Sequence, residues 1–321
     1  MPAKRSLACI SAICALFVSC FIGCSRQAPV GPLVTGVASG TLGAGEAEAA
    51  GFGSASFYPL SIGNSWSYKG GGELRYLRDG VPTEPAFAYS FTETHRLIGT
   101  TTHEGTSYVV EEQVHVDPDS YYGPANWWER LRQDASGLFS LDTLLTEPPV
   151  LDGGKVLAQI AGNRTDHPLH VDLARGRPDG GPSLKRLERR LEMLRAFVRG
   201  VTGTSLEAST PTGLETMLLA YPLRTGASWS TRLDIPWPVR VDRVEKLDTP
   251  LGGITAYRIE INPGGTVVQE GEWVRVWYSR QGYLGYSIHL SGEQTNDQGE
   301  PTGTTFVADE SMLVTSMSIA R

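Results

Sequence analysis

Apolar and polar residues alternate over several stretches of the chain after residue 57, with the period of two that is typical of half-buried β-strands. One predicted strand carries an apolar face made of Phe87, Tyr89, Phe91 and Leu97. After a predicted turn at 100–105, the return strand has a second apolar face made of Tyr108, Val110, Val114 and Val116. The pattern therefore predicts a mainly β protein built from antiparallel hairpins.

The second half of the chain repeats this order of strand-like segments. The segments with alternating or contiguous apolar residues are 239–241, 257–261, 273–278, 284–290 and 306–319. The chain contains 37 glycines and 20 prolines, which suits a sheet with many tight turns.

A segment of ten residues occurs twice: Tyr58–Ser67 reads YPLSIGNSWS and Tyr221–Ser230 reads YPLRTGASWS, with seven identical positions. Internal repeats change the predicted architecture, so we interpret the folded part as two homologous antiparallel β units. They would form two lobes or one curved, pseudo-twofold sheet of the half-barrel kind. The first unit spans 57–150 and the second spans 212–321.

The residues shared by the two segments are suited to a corner, by which we mean a tight turn that leads into a strand and places a tryptophan in the core. Proline fixes φ where a strand begins, glycine permits a tight turn, and tryptophan buries a large apolar area. A ligand-stacking role for the two tryptophans is the alternative. The principal shared positions are Tyr58, Pro59, Leu60, Gly63 and Trp66 in the first copy, and Tyr221, Pro222, Leu223, Gly226 and Trp229 in the second.

Residues 151–211, between the two units, differ in kind because they contain a helical pattern at 183–199. Ser183 can cap the start of this helix and Gly200 can end it, while leucines recur at helical spacing on one face. The other face is rich in arginine and lysine. We expect one inserted amphipathic helix that packs on the sheet. A lid over a cavity, or contact with anionic lipid or a partner, are alternatives.

The N-terminus has the layout of a secretory signal. Lys4 and Arg5 precede an uncharged, mostly apolar stretch, which ends in Cys24. The preceding residues complete the sequence FIGC, which resembles a bacterial lipobox, in which the cysteine is acylated and becomes the first residue. We therefore predict a lipoprotein-type signal peptide at 1–23 and a lipid anchor on Cys24.

Residues 24–56 are rich in glycine, alanine and serine, and are predicted to form a flexible tether. Ser25 directly after the cysteine resembles the outer-membrane sorting pattern of Gram-negative lipoproteins. The predicted location is thus the cell envelope, with the outer membrane favoured. Lipidation at Cys20, ordinary cleavage with secretion, and an uncleaved anchor are the alternatives.

The net charge bears on which partners the protein could bind, and the cysteine content bears on whether disulfides could stabilise it. A formal net charge of −7 gives the chain no overall attraction to nucleic acid. Its four cysteines all lie in the leader, so the exported part has no pair for a disulfide. The sequence contains no P-loop, nucleophile-elbow or dinucleotide motif, and we predict no cofactor. Two histidines and two aspartates within 166–172 are interpreted as a polar loop rather than a metal site.

A group of polar residues interrupts the predicted apolar faces. Glu93 and His95 occupy core-facing positions of the first strand, and Glu112 is predicted to lie opposite one of them on the return strand. Arg243 and Glu245 occupy the corresponding positions of the second unit. The strands either leave the core and reach solvent at this point, or form the polar mouth of an apolar cavity.

Two segments resemble a group of bacterial secreted proteins and lipoproteins of unknown function. These proteins carry an FPLxxGNxWxY segment, matched by Tyr58–Tyr68, and a later W-Y-small-x-x-G block, matched by Trp277–Gly282. The resemblance implies export but no activity. The chain is also loosely similar to the half-open β-barrels of envelope lipoproteins that shield acyl chains.

These patterns predict a lipid-anchored cell-envelope protein that acts as a non-enzymatic binding or structural module. Its partners would be the membrane, through the lipid, and an apolar ligand or an envelope protein. A carrier of an apolar ligand in a curved sheet is one alternative. A hydrolase of unknown substrate is the other, with Glu93, His95 and Glu112 as its first candidate residues.

Overall fold

The structure is a computed structural model that describes residues 57–118, 124–145, 149–154, 215–230, 238–262, 268–295 and 300–320. The predicted signal peptide, Cys20, Cys24, the tether and the helix at 183–199 lie outside these ranges. The described part consists of strands and turns and contains no helix. It therefore offers no helical segment with the length and hydropathy of a membrane span.

Thirteen strands are present in the described ranges. The first seven are β1 (Ser65–Arg78), β2 (Val81–Pro82), β3 (Phe87–His103), β4 (Thr106–Val116), β5 (Ala125–Asp134), β6 (Gly137–Leu145) and β7 (Glu215–Ala220). The remaining six are β8 (Ser228–Ser230), β9 (Pro238–Thr249), β10 (Gly252–Ile261), β11 (Trp273–Ser279), β12 (Gly282–Thr295) and β13 (Pro301–Ser318).

All strands belong to one antiparallel sheet with the order β7-β6-β5-β4-β3-β1-β13-β12-β11-β10-β9-β8, and the short β2 pairs with β1. Apart from β2, each half of the chain thus forms a meander of six strands, and the β1–β13 pairing joins them. The sheet is nearly closed and barrel-like. Its end strands, β7 and β8, follow each other in the chain, separated by residues 221–227.

The folded part is thus one curved sheet, which decides between the two arrangements that the repeat left open. The strand β7 lies within the range predicted for the second unit, yet it hydrogen-bonds to β6 of the first meander. This pairing is antiparallel: Ala220, the last residue of β7, lies opposite Gly137, the first residue of β6. Antiparallel strands can be neighbours whenever the chain reverses direction between them.

The two copies of the repeated segment form corners with the same backbone hydrogen bonds. Each corner contains a glycine with positive φ, 94° at Gly63 and 83° at Gly226. The backbone N–H of this glycine donates to a residue of β3 in the first copy and of β9 in the second. The N–H of that strand residue donates to the carbonyl of the residue that follows the glycine. These bonds are Gly63 N to Leu97 O, Leu97 N to Asn64 O, Gly226 N to Val241 O, and Val241 N to Ala227 O. The local geometry recurs, while homology of the complete units stays a prediction.

The environments of the two tryptophans differ. Trp66 is completely buried between β3 and β13, and its indole Nε1 donates to the carbonyl of Gln281 at 2.7 Å. Trp229 is only half-buried, because β8 is a three-residue end strand that pairs with β9 alone among the described strands. Trp66 belongs to the main hydrophobic core, and Trp229 packs against that core.

The sheet has an inner face, which carries Trp66 and Tyr68, and an outer face, which carries the exposed Lys69. Residues directly opposite on antiparallel neighbours share a face, so the register assigns every paired position to one of the two. Aromatic rings fill much of the inner side. The ring of Tyr58 stacks on Trp66 at 5.1 Å, and Tyr68 packs against Tyr283 at 5.7 Å.

Two glycines of β1 make room for aromatic side chains of β3 on the inner face. A Cβ atom at Gly70 would lie 2.3 Å from the ring of Phe91, and one at Gly72 would lie 2.2 Å from the hydroxyl of Tyr89. That hydroxyl and the hydroxyl of Tyr286 both donate to the buried carboxylate of Glu310. The glycines thus permit rings to lie directly on the neighbouring strand.

A smaller apolar cluster lies on the outer face of β4 and β5. Val110 and Trp128 are buried there, covered by Leu151 and packed with Ile98. The apolar pattern predicts that Val110 and the apolar side of β4 share one core with the apolar side of β3. That expectation is wrong, because Val110 lies on the outer face of the sheet, where Leu151 of the segment 149–154 covers it.

Candidate functional site

A group of buried polar side chains lies on the inner face of β3, β4 and β5. Register places His95 opposite Gln113, and Gln113 opposite Trp127, all in line with Trp66. Leu97 lies opposite Glu111, which lies opposite Glu129. We call the residues Glu93, His95, Glu111, Gln113 and Glu129 the interior polar cluster.

Each member of the cluster has a hydrogen-bond partner within the described part of the chain. The imidazole of His95 lies 2.8 Å from Glu93 through Nε2, and its Nδ1 is 3.4 Å from Glu111. The amide nitrogen of Gln113 donates to Glu111 at 2.7 Å and to Glu129 at 3.1 Å. Such pairing is what makes buried charge tolerable in a low-dielectric interior.

Three further side chains contact the cluster. The indole nitrogen of Trp127 donates to the amide oxygen of Gln113 at 2.6 Å, and the phenol of Tyr58 donates to Glu111. Nδ1 of the half-buried His115 lies 3.2 Å from Glu93. The cluster therefore connects the first corner to three strands.

Burial and neighbouring charges shift the protonation of the cluster. Burial lowers the pKa of His95, but attraction to Glu111 and hydrogen bonds to Glu111 and Glu93 outweigh it and raise the pKa to about 9. Burial, followed by repulsion from Glu111, raises the pKa of Glu129 to about 8. Both shifts favour the protonated forms, which are an imidazolium cation at His95 and an uncharged carboxyl group at Glu129.

The sequence analysis placed Glu112 opposite Glu93 or His95, and the structure corrects this. Glu112 lies opposite Arg96, whose half-exposed guanidinium donates to the Glu112 carboxylate at 2.6 Å on the outer face. The inner positions of β4 are instead taken by Glu111 and Gln113. The hydrophobic pattern predicts the wrong inner face for β4, because the polar residues Glu111 and Gln113 face inward and are hydrogen-bonded to each other there.

Arg243 and Glu245 were expected at the equivalent core-facing place, and they too lie on the outer face. Register connects Arg243 through Arg258, Trp277, Gly285 and Leu313 to the exposed Lys69. The cause is a β-bulge between Arg258 and Ile259, which gives β9 one extra residue and reverses the facing of every later side chain.

Those two residues belong to a network of ion pairs on the outer face of β9, β10 and β11. Arg243 donates to Glu245 at 2.7 Å, and Glu245 also accepts from the indole nitrogen of Trp277 at 2.7 Å. Arg258 forms an ion pair with Asp242. The structure therefore brings Glu93 and His95 together on the inner face. Glu112 lies on the outer face of the neighbouring strand, and Arg243 and Glu245 lie on the outer face of β9, six strands away from β3.

An open groove of about 630 Å³ lies beside this network. It is bounded by the end of β10, the turn at 268–272 and the start of β11. The polar and aromatic side chains that line it include Arg240, Glu260, Gln269, Glu270, Trp273 and Arg275. Sequence reasoning missed these residues, although the spacing of Trp273 and Arg275 on one strand face was a usable signal.

The floor of the groove is fixed by the buried carboxylate of Glu272. One oxygen accepts from the backbone N–H of Gln269 at 2.7 Å, and the other accepts from the N–H of Ser291 at 2.8 Å. Gly271, with φ of 85°, supplies the left-handed residue that this turn requires. The carboxylate thus ties the turn to β12 and makes the groove a preformed feature.

The side chains of the groove wall are also held in place. His289 stacks on Trp273 with ring centroids 4.2 Å apart, and the guanidinium of Arg275 lies 4.6 Å from the centroid of the same indole. Arg240 donates to Glu260 at 2.9 Å. The Nε of Arg275 is 3.6 Å from Glu260, is buried, and has no hydrogen-bond acceptor in the described residues.

The described ranges contain no group of three or more His, Cys, Asp or Glu side chains arranged to hold a metal ion. What the two polar regions can do differs with their access to solvent. A general acid or base must reach the proton that it transfers, and Glu93 and His95 are only 1% and 2% exposed. The groove, by contrast, is open to solvent and offers donors, acceptors and an aromatic wall.

Comparisons with known proteins give no family. No protein-family model and no curated protein matches the chain. Among solved structures, an exported protein with a YmcC-like fold from Bacteroides fragilis is 12% identical, with a TM-score of 0.33, over 83% of this chain and 100% of that one.

Two further solved structures are similar at the same low level. A lipoprotein from Parabacteroides distasonis is 9% identical, with a TM-score of 0.30, over 82% of this chain and 99% of that one. A DUF1329 family protein from Desulfovibrio piger is 11% identical, with a TM-score of 0.19, over 79% of this chain and 87% of that one. TM-scores at this level carry no argument about the function of this chain.

Proposed function

We propose that this chain is a lipid-anchored protein of the cell envelope that acts as a non-enzymatic binding module, with its binding surface on the outer face of the sheet. The anchor is Cys24, at the end of the predicted signal peptide, and the segment 24–56 lets the folded part stand away from the membrane. Two homologous units, each introduced by one corner, build the sheet.

One observation carries the choice of a binding module: the acid–base residues are enclosed by the sheet, and the groove is open. Glu93 and His95 bond to each other and to neighbouring strands, and they are almost completely buried. A substrate would have to open the sheet to reach them. This favours a structural role for the interior polar cluster over the hydrolase alternative.

The packing of the interior also favours this function over a carrier of apolar ligands. The inner face holds Trp66, Tyr68, Tyr283, Tyr286 and Met312, each at most 3% exposed, in contact across the sheet. An acyl chain in the interior would have to displace these buried side chains. The groove needs no such displacement.

The anchor is tested by metabolic labelling with a palmitate analogue and mass spectrometry of the N-terminal peptide. Wild type is expected to carry the label on residue 24, and Cys24→Ala is expected to lose it and to leave the membrane fraction. Cys20→Ala is the matched control and should stay labelled. Label that persists in Cys24→Ala and disappears in Cys20→Ala would move the anchor, and an unlabelled wild type would refute it.

The binding role is tested with full-length protein immobilised in detergent and exposed to soluble envelope extract. Material retained by the wild type should be lost with the double variant Arg240→Ala/Arg275→Ala. Arg243→Ala, which removes an exposed arginine outside the groove, should retain it. Retention that is the same for all three proteins would refute binding at the groove. A tightly held acyl lipid in native mass spectra of the wild type would favour the carrier.

A further inference from the structure

We propose that the groove beside Trp273 binds a polyhydroxylated ligand, namely a glycan chain of the cell envelope. This inference rests on the proposed binding function and adds the chemical class of the ligand. It follows from the mixture of hydrogen-bonding groups in the groove, from the fixed position of the Arg275 guanidinium beside Trp273, and from the position of the groove on a sheet face rather than at a sheet edge.

The groove presents donors and acceptors side by side. Arg240 and Arg275 are donors only, Glu260 and Glu270 are acceptors when ionised, and the amide of Gln269 is both. A sugar hydroxyl also donates and accepts, so neighbouring hydroxyls can bond to neighbouring groups of opposite kind. A ligand of this class matches the full set of side chains in the groove.

Ligands that are purely anionic or purely apolar fit the groove less well. A strongly anionic ligand would approach two arginines but would meet Glu260 and Glu270, and like charges placed together are costly. An apolar ligand would remove water from four charged side chains without replacing their hydrogen bonds. Neutral or weakly charged hydroxyl-rich molecules avoid both costs.

Arg275 is a donor that is held in place before a ligand arrives. Its Nε is buried and lies 3.6 Å from Glu260, with which it forms an ion pair. Because this contact fixes the guanidinium beside the indole of Trp273, a hydrogen-bonding ligand meets an ordered group.

The indole of Trp273 adds aromatic surface to the groove. Trp273 lines the groove, and its orientation is fixed by the stacked ring of His289 and the guanidinium of Arg275. Binding sites for small molecules combine such an aromatic wall with a few placed polar groups. Because the wall is already ordered, a ligand pays little entropy to organise it.

An extended peptide is the main competing class, and the sheet topology argues against it. Peptides that bind to sheets usually add a strand at a free edge, where backbone groups give the affinity. The groove lies on the face of β10 and β11, and each of these strands already has neighbours on both sides. A peptide at this place would have side-chain contacts only.

The test is isothermal titration of full-length protein with soluble oligosaccharides of three kinds: neutral hexose oligomers, N-acetylhexosamine oligomers and hexuronate oligomers. At least one is expected to bind with a Kd tighter than about 1 mM. Arg275→Ala and Trp273→Ala should each weaken that binding by about tenfold or more, which is the effect of losing about 1.4 kcal/mol. Arg243→Ala should bind like wild type.

Failure of this inference can be told apart from failure of the proposed function. No binding of any of the three oligosaccharide kinds overturns the glycan assignment, as does binding that Arg275→Ala leaves unchanged. If envelope material is still retained through the groove in those cases, and protease treatment abolishes the retention, the ligand is a peptide and the binding function stands. Circular dichroism of each variant checks that the sheet is intact.

Discussion

The phenol of Tyr58 donates a hydrogen bond to the carboxylate of Glu111, and so connects the first corner of the chain to the interior of the sheet. Tyr221 occupies the same position in the second copy, but its hydroxyl donates to Gln133 at 2.8 Å in a half-buried site. One tyrosine thus contacts a buried polar cluster, while the other connects β5 to the backbone N–H of Phe57 in a half-buried site.

Tyr58→Phe is therefore expected to destabilise the protein more than Tyr221→Phe. The first change leaves a buried carboxylate without one of its donors, which costs about 1–3 kcal/mol, and the second should cost about 1 kcal/mol or less. Urea unfolding followed by tryptophan fluorescence measures both. Equal losses would mean that the Glu111 carboxylate finds another donor.

The two tryptophans of the repeated segment should also differ in their contribution. Trp66→Ala removes a completely buried indole and is expected to cost about 3–5 kcal/mol, whereas Trp229→Ala removes a half-buried one and should cost about 1–2 kcal/mol. The free energy of unfolding in urea is the measurement. Trp66→Phe and Trp229→Phe, which keep an aromatic ring, should show the same order of destabilisation. The reverse order would contradict the burial of Trp66 in the first corner.

The stability of the protein should fall as the pH rises through the neutral range. Folding raises the pKa of Glu129 from 4.5 to about 8 and that of His95 from 6.5 to about 9, so the folded state holds more protons than the unfolded state. The contribution of Glu129 is complete below pH 4.5 and is lost by about pH 8. The contribution of His95 is complete below pH 6.5 and is lost by about pH 9.

Glu129→Gln tests this assignment, because the amide cannot ionise. Its stability in urea should depend less on pH between 5 and 8 than that of wild type, and it should exceed the wild-type stability at the upper end. Glu112→Gln, on the outer face, is the control and should keep the wild-type slope. A wild type whose stability rises over this range would show that the cluster is charged differently.

The contact between Gly70 and Phe91 is expected to be strongly coupled. Gly70→Ala places a methyl group against the Phe91 ring and should cost about 1–3 kcal/mol. In the background of Phe91→Ala the same change should cost less, with a coupling energy of about 0.5–3 kcal/mol in a double-mutant cycle. Additive effects would contradict the contact. Lys69→Ala, one residue away on the outer face, should change stability by about 0.5 kcal/mol or less.

Bulges limited what could be derived from alternation alone. The period-two pattern correctly predicted strands along β3, β4 and β9. It predicts which face of the sheet a side chain occupies only up to the first β-bulge, where an extra residue reverses the alternation. The bulge beside Ile259 moves Arg243 and Glu245 to the outer face, and no local pattern marks that position. The spacing of Trp273 and Arg275 indicates that these two side chains share a strand face. The complete groove could not be predicted, since Arg240, Glu260 and Arg275 meet only because three strands are in register.

The amino-acid sequence by itself determined that the folded part is mainly β, with a Pro–Gly–Trp corner at the start of each half, because alternation and turn residues act over a few positions. Only the tertiary structure decided that the halves form one nearly closed sheet and that Glu111, Gln113 and Glu129 face inward. The reason is physical: a buried polar residue is tolerated when distant strands supply its partners, and those partners exist only once the strands have paired.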